Sequence, residues 1–270
     1  MNSVFLISLT ALAWSALGSL VLMLPANVSP FTICAVRGTW ISGTFLIIAS
    51  LKHVKIKFTW KSFLAGMMYA LSAVTYIYSL QKLPVAVAAP LHQTSPAFLI
   101  IAMIFLYAQY PTKKDAIGVV LSLIGATILI INGGSYSALG TICAIGSAWL
   151  WATYLMIQAQ LSDTDKIAGA FWGGALMLLM GSTSFSMPSL TINTLLVFVI
   201  LGIFCSAMPL LLVAIATKNI SSISTSLILL LEPAFATVLA FFFNDQTPSA
   251  TKLVGLILIV SGAVFGILGS

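Results

Sequence analysis

The chain has 270 residues, of which 60 % are hydrophobic and only 6 % charged, and its mean hydropathy is +1.14. A soluble domain carries about 25 % charged residues, so this composition leaves too little polar surface for a soluble enzyme or a nucleic-acid binder. The net charge of +6 is carried mainly by lysines that stand between apolar blocks, where membrane topology accounts for them without a nucleic-acid partner.

The apolar blocks are long and continuous, which selects helices over the short alternating strands of a membrane barrel. They predict an all-α polytopic membrane protein with ten transmembrane helices, at about 4–24, 31–51, 62–80, 85–108, 116–131, 139–158, 167–186, 193–216, 221–243 and 252–268. Turn residues sit where the runs break: Pro25-Ala26-Asn27, Lys82-Leu83-Pro84, Tyr110-Pro111-Thr112, Asn132-Gly133-Gly134 and Gln246-Thr247-Pro248. The run from Met1 to Ser19 has no basic flank and reads as a first span rather than a cleaved leader.

Polar residues inside these runs mark candidate sites. Span one carries Trp14. Span two carries Arg37 near its outer end, within reach of a substrate carboxylate or of the outer headgroups. In span three, Tyr69, Ser72, Tyr76 and Ser79 recur at helical spacing on one face. Span six repeats the pattern with Trp151, Tyr154 and Gln158. Tyr69 and Gln158 stand near span ends, where an interfacial aromatic belt is the competing reading. Glu232 lies about 16 Å into span nine at 1.5 Å per residue, too deep for its charge to reach water. An acid at that depth is costly and faces a cavity or a partner. His92 and Ser95 are three residues apart, and Thr225 and Glu232 seven apart, which puts each pair on one face of its span. Pro96 and Pro233 follow and read as helix kinks that free the carbonyls of His92 and Leu229.

With the N-terminus in the cytoplasm, eight lysines fall in inner connections: Lys52, Lys55, Lys57, Lys61, Lys113, Lys114, Lys166 and Lys218. Two, Lys82 and Lys252, fall in outer ones. That asymmetry orients both termini to the cytoplasm.

The second half repeats the first at an offset of 137 residues. Trp14 recurs as Trp151, Pro96-Ala97 as Pro233-Ala234, Gln109 as Gln246 and Pro111 as Pro248. Gly118, Gly125 and Ala126 recur as Gly255, Gly262 and Ala263, and Ser95 is the mate of Glu232. Residues 1–135 and 136–270 therefore read as two five-helix repeats. Five is odd, so the second copy enters the membrane upside down. Inverted repeats are a recurring plan of secondary transporters, because two related halves can interchange conformations around one central site.

The segments Ser95-Pro96-Ala97 through Gly118 to Gly125-Ala126, and Glu232-Pro233-Ala234 through Gly255 to Gly262-Ala263, resemble the drug/metabolite transporter superfamily, specifically its EamA-type members. Trp14 and Arg37 also stand where such proteins often have Trp and Arg. The resemblance covers nearly the whole chain and implies export of small molecules. Where those proteins often carry a Gly-Glu pair before the turns that follow spans four and nine, this sequence reads Ala108-Gln109 and Asp245-Gln246.

The expected activity is secondary active transport, with export as the direction, of small metabolites such as amino acids or related amphipathic compounds, by alternating access through a central cavity. Its expected walls are Trp14, Tyr76, His92, Ser95, Trp151, Tyr154, Thr225 and Glu232, with Glu232 also the candidate for proton coupling. An aromatic, sparsely polar cavity suits an amphipathic ligand through stacking and cation–π contact. Import or exchange of a nucleotide-like metabolite, a channel and a non-transporting scaffold stay open as alternatives. The sequence has no HExxH, no paired intramembrane acids and no Gly-x-Ser-x-Gly, so it does not read as an enzyme. Cys34, Cys143 and Cys205 form no CxxC pair and no metal-ligand spacing, and no metal or cofactor is expected. The expected partners are the substrate and the lipid bilayer of a bacterial inner membrane, with the chain as monomer or homodimer. The glycine pairs Gly118/Gly125 and Gly255/Gly262 suit close helix packing within the fold or at a dimer contact.

Overall fold

The computed structural model describes residues 2–25, 27–108, 110–131, 137–186, 191–244 and 249–268. Ala26, Gln109, Asn132-Gly133-Gly134, Asp245, Gln246-Thr247-Pro248 and the expected repeat boundary at 135/136 lie outside the described residues.

Every regular element described is helical. The first three spans are α1 (Ser3–Leu22), α2 (Pro30–Leu51) and α3 (Trp60–Lys82). The fourth is two pieces, α4 (Val85–His92) and α5 (Ser95–Tyr107), and the fifth is α6 (Lys113–Ile131). The sixth and seventh are α7 (Ala138–Gln158) and α8 (Asp163–Ser182). The eighth joins α9 (Ile192–Gly202) to α10 (Met208–Ala216) through a π-turn, Ile203–Ala207. The ninth is again two pieces, α11 (Ser222–Ile228) and α12 (Leu231–Asn244), and the tenth is α13 (Ala250–Leu268). These are the ten expected spans. Among the described residues, six stretches are long and apolar enough to cross a bilayer by themselves, including Ser3–Leu22, Pro30–Leu51 and Ile192–Ala216.

Helix starts are written in the sequence. Ser29, Thr59, Ser137, Ser162, Thr191 and Ser221 each accept a hydrogen bond from the backbone N–H three residues on, which satisfies a donor the helix cannot. The outside is apolar: Phe105 is 83 % exposed, and Leu22, Leu51, Ile131, Ile192 and Leu196 stand out from the bundle with it. Such a surface suits the hydrocarbon of a bilayer. The polar side chains turn inward instead. Arg37, Ser72, Gln93, Ser95, Ser147 and Glu232 are all buried.

The inverted repeat is visible in the packing. α6 and α13 coincide at the sequence offset and cross each other antiparallel. A Cβ built on Gly118 would fall 2.9 Å from the Gly262 carbonyl oxygen, and one on Gly125 would fall 2.5 Å from that of Gly255. The two contacts exchange under the repeat. α2 and α8 meet the same way, with Gly38 against Gly174 and Gly181 against Phe31 and Ala35. Without a hydrophobic drive between helices in lipid, such close backbone contact is what holds them. The glycines expected to pack within the fold do so.

At Pro96 and Pro233 the irregularity takes the form of a short turn within the span. Each proline stands in the first turn of the helix that follows, α5 or α12, after a break at Gln93-Thr94 or Leu229-Leu230. The physical reason is local. A proline without an N–H costs nothing at a helix start, where that donor has no partner anyway. The two breaks are repeat-related.

Candidate substrate cavity

The inner faces of α1, α2, α3, α4, α7 and α12 enclose one cavity, with about 420 Å³ of empty space including its mouth. Its lining comprises Trp14 and Leu17, Arg37, the α3 stripe Tyr69, Ser72, Ala73 and Tyr76, and then His92, Trp151 and Glu232. Both repeats contribute.

The repeat-related tryptophans meet. Trp14 and Trp151 pack edge to face with centroids 5.1 Å apart. Trp151 continues into Tyr154 at 4.9 Å, and Tyr154 into Tyr69 at 5.6 Å. Tyr154 therefore stands behind the wall and props the two rings that line it. On the other side Tyr76 stacks on the His92 imidazole at 4.4 Å. His92 Nδ1 lies 2.8 Å from Ser147 Oγ. Ser147 gives its only hydroxyl proton to the Ala144 carbonyl at 2.6 Å. The imidazole is thus the donor and keeps a lone pair on Nε2. Ser72 donates to the Ser147 carbonyl at 2.9 Å, which pins α3 to α7 beside the histidine.

Glu232 is buried at the first turn of α12, where the helix dipole favours an acid. It accepts a 2.6 Å hydrogen bond from Gln93 Nε2, from the break in span four. Gln93 escaped the sequence reading, although its place three residues before Pro96 marks the break. Arg37 is 4 % exposed, which rules out the snorkelling option. Its Nε donates to Ser206 Oγ at 2.7 Å, and its Nη1 is buried without a hydrogen-bond partner among the described residues. Arg37 and Glu232 make no ion pair with each other, so one cavity presents a cation and, separately, an acid.

Two expected wall residues, Ser95 and Thr225, are not among the lining residues. Ser95 Oγ lies 3.2 Å from Ser226 Oγ between α5 and α11, and Thr225 donates to the Ser221 carbonyl at 2.9 Å. Two residues with a belt alternative are interior. Tyr69 lines the cavity with its hydroxyl unpartnered, and Gln158 is 1 % exposed with both amide atoms unpartnered among the described residues.

Residues 1–131 and 138–268 each match the model of the EamA-like transporter family. The chain belongs to that family. It is therefore an integral, multi-pass membrane protein of the drug/metabolite transporter superfamily. Relatives include an uncharacterized transporter of Archaeoglobus fulgidus, 25 % identical over 95 % of this chain and 94 % of the relative. An uncharacterized transporter of Clostridium kluyveri is 27 % identical over 71 % of this chain, a match that spans 64 % of that protein's length. The threonine/homoserine exporter RhtA of Escherichia coli K12 is 22 % identical over 82 % of this chain and 77 % of its own. A solved protein structure superposes over 100 % of the chain and 99 % of its own with a TM-score of 0.80, at 21 % identity, which speaks to the fold.

Proposed function

We propose that this EamA-like protein is a secondary active exporter of small zwitterionic metabolites, amino acids foremost, in a bacterial inner membrane with both termini cytoplasmic. The observation that carries the reading is that Arg37 and Glu232 line one aromatic-walled cavity without forming an ion pair with each other, with Arg37 Nη1 unpartnered among the described residues. A carboxylate answers the guanidinium and an ammonium answers the acid, while Trp14, Trp151 and Tyr76 receive an apolar body. Neutral amino acids have this shape, and the likeness to a threonine/homoserine exporter supports the same class. The eight-to-two lysine asymmetry supports the orientation. Glu232 serves as the exchange group: it holds a proton or a substrate ammonium in turn, because burial makes its bare charge costly. The two repeats alternate their tilt about the Trp14–Trp151 contact and open the cavity to either side.

The test is counterflow. Proteoliposomes loaded with unlabelled L-threonine should accumulate labelled L-threonine from outside, and protein-free vesicles should not. No counterflow with threonine, and no competition by other neutral amino acids when any labelled one is used, overturns the reading.

A further inference from the structure

Span eight departs from its repeat-mate at one place. α3 runs as unbroken α-helix, whereas the matching rod carries the π-turn Ile203–Ala207. A π-turn admits one extra residue and re-aims the side chains around it, and such turns concentrate at functional sites.

Ser206 sits in this turn, fully buried, and donates its proton to the Leu201 carbonyl at 2.6 Å. Its oxygen accepts in turn from Arg37 Nε at 2.7 Å. Just before the turn, Gly202 is covered by the Trp40 ring, and a Cβ there would collide with it. Arg37 and Trp40 are three residues apart on one face of α2. One turn of α2 is thus held at two points by the same irregular stretch.

The repeat-related positions invert the arrangement. Arg37 corresponds to Gly174, and Ser206 to Tyr69. One junction places a long cation on α2 and a short hydroxyl opposite it. The other places bare backbone on α8 and a phenol on α3. Positive charge therefore enters the cavity from one side only. With Nε committed to Ser206, the guanidinium keeps its Nη donors, of which Nη1 is buried and unpartnered. That fork matches a carboxylate.

We infer that Ser206, set by the π-turn, is the positioning residue that aims the Arg37 fork at a substrate carboxylate and so selects amino acids over amines that lack a free acid. The inference rests on the amino-acid reading above. Its test is binding to the purified full chain, read by tryptophan fluorescence because Trp14 and Trp151 line the cavity. The ligands are L-threonine and L-threonine methyl ester. The parent should prefer the acid. Ser206→Ala should bind the acid about tenfold more weakly, the worth of one hydrogen bond, and the ester unchanged. Ser206→Thr keeps the hydroxyl and should keep the preference. Unchanged ester binding certifies the fold, and Ser206→Cys, nearly isosteric but a weaker acceptor, gives the same readout if the alanine variant does not fold. A Ser206→Ala protein that keeps the parent's preference, or that weakens both ligands alike, overturns the inference and leaves the amino-acid reading standing. A parent that binds neither ligand overturns that reading and the inference with it.

Discussion

Gln93 and Glu232 join the two repeats through a single buried hydrogen bond of 2.6 Å. Gln93→Leu removes the donor and leaves a buried carboxyl oxygen unsatisfied, which costs about 1–3 kcal/mol. Thermal unfolding in detergent should show that loss, and adding Glu232→Gln should return part of it, as coupled partners do. A Gln93→Leu protein as stable as the parent would contradict the role. The same stretch shows where reading residues from spacing stops working. His92 with Ser95, and Thr225 with Glu232, share a face only if each span is one helix. His92 closes α4 and Ser95 opens α5; Thr225 belongs to α11 and Glu232 to α12. Across these turns, His92 and Glu232 line the cavity while Ser95 and Thr225 do not. Where no break intervenes the period holds: Tyr69, Ser72 and Tyr76 of α3 line the cavity together. Arg37 was ambiguous for a different reason, since the serine that holds it lies 169 residues away.

Between elements, backbone proximity sets what a substitution does. Gly125→Val would drive a branched side chain into the Gly255 carbonyl and the Ile259 side chain, and neither α6 nor α13 can move without parting the repeats. Overpacking of this kind costs about 1–3 kcal/mol or more, read as loss of folded protein on size-exclusion chromatography. Gly146→Ala is the counterpart. Nothing lies within 4 Å of its Cβ, and the position is helical. It should stabilise by up to about 1 kcal/mol through helix propensity, seen as a raised unfolding temperature. Equal effects from the two glycines would refute the packing account. At the start of α8, the Lys218 hydrogen bond holds the Asp163 carboxyl below the usual carboxylate range. A lowered carboxyl stabilises above its unfolded pKa, and the gain is lost as pH falls through the lowered value. The pair is exposed, so Asp163→Asn should shift the neutral-pH unfolding temperature little.

At the scale of the whole molecule, the ten spans and the repeat were legible because each rests on a signal carried by many residues. A bilayer demands long apolar runs, and a duplicated backbone keeps its glycines and prolines in register, so α6 and α13 coincide at the offset found in sequence. The prolines marked where spans four and nine depart from regular helix, but not the two-residue turns before them, because a proline that bends a helix and one in the first turn after a turn look alike in a string of residues. The π-turn was also hidden: Ile203–Ala207 has no breaker of its own. Orientation can be checked directly. Ser137→Cys, in a chain with Cys34, Cys143 and Cys205 replaced, should react with an impermeant maleimide from outside intact cells, and Lys55→Cys only after permeabilisation. The reverse pattern would invert the topology and the direction of export. The central claim is that Glu232 exchanges a proton for a substrate ammonium inside a cavity that opens to each side in turn. Glu232→Gln keeps the shape and the contact with Gln93 but cannot titrate. In proteoliposomes under an imposed pH gradient, the parent should drive labelled L-threonine uphill, whereas Glu232→Gln should retain only downhill exchange. Uphill transport by Glu232→Gln equal to the parent at every pH would contradict it.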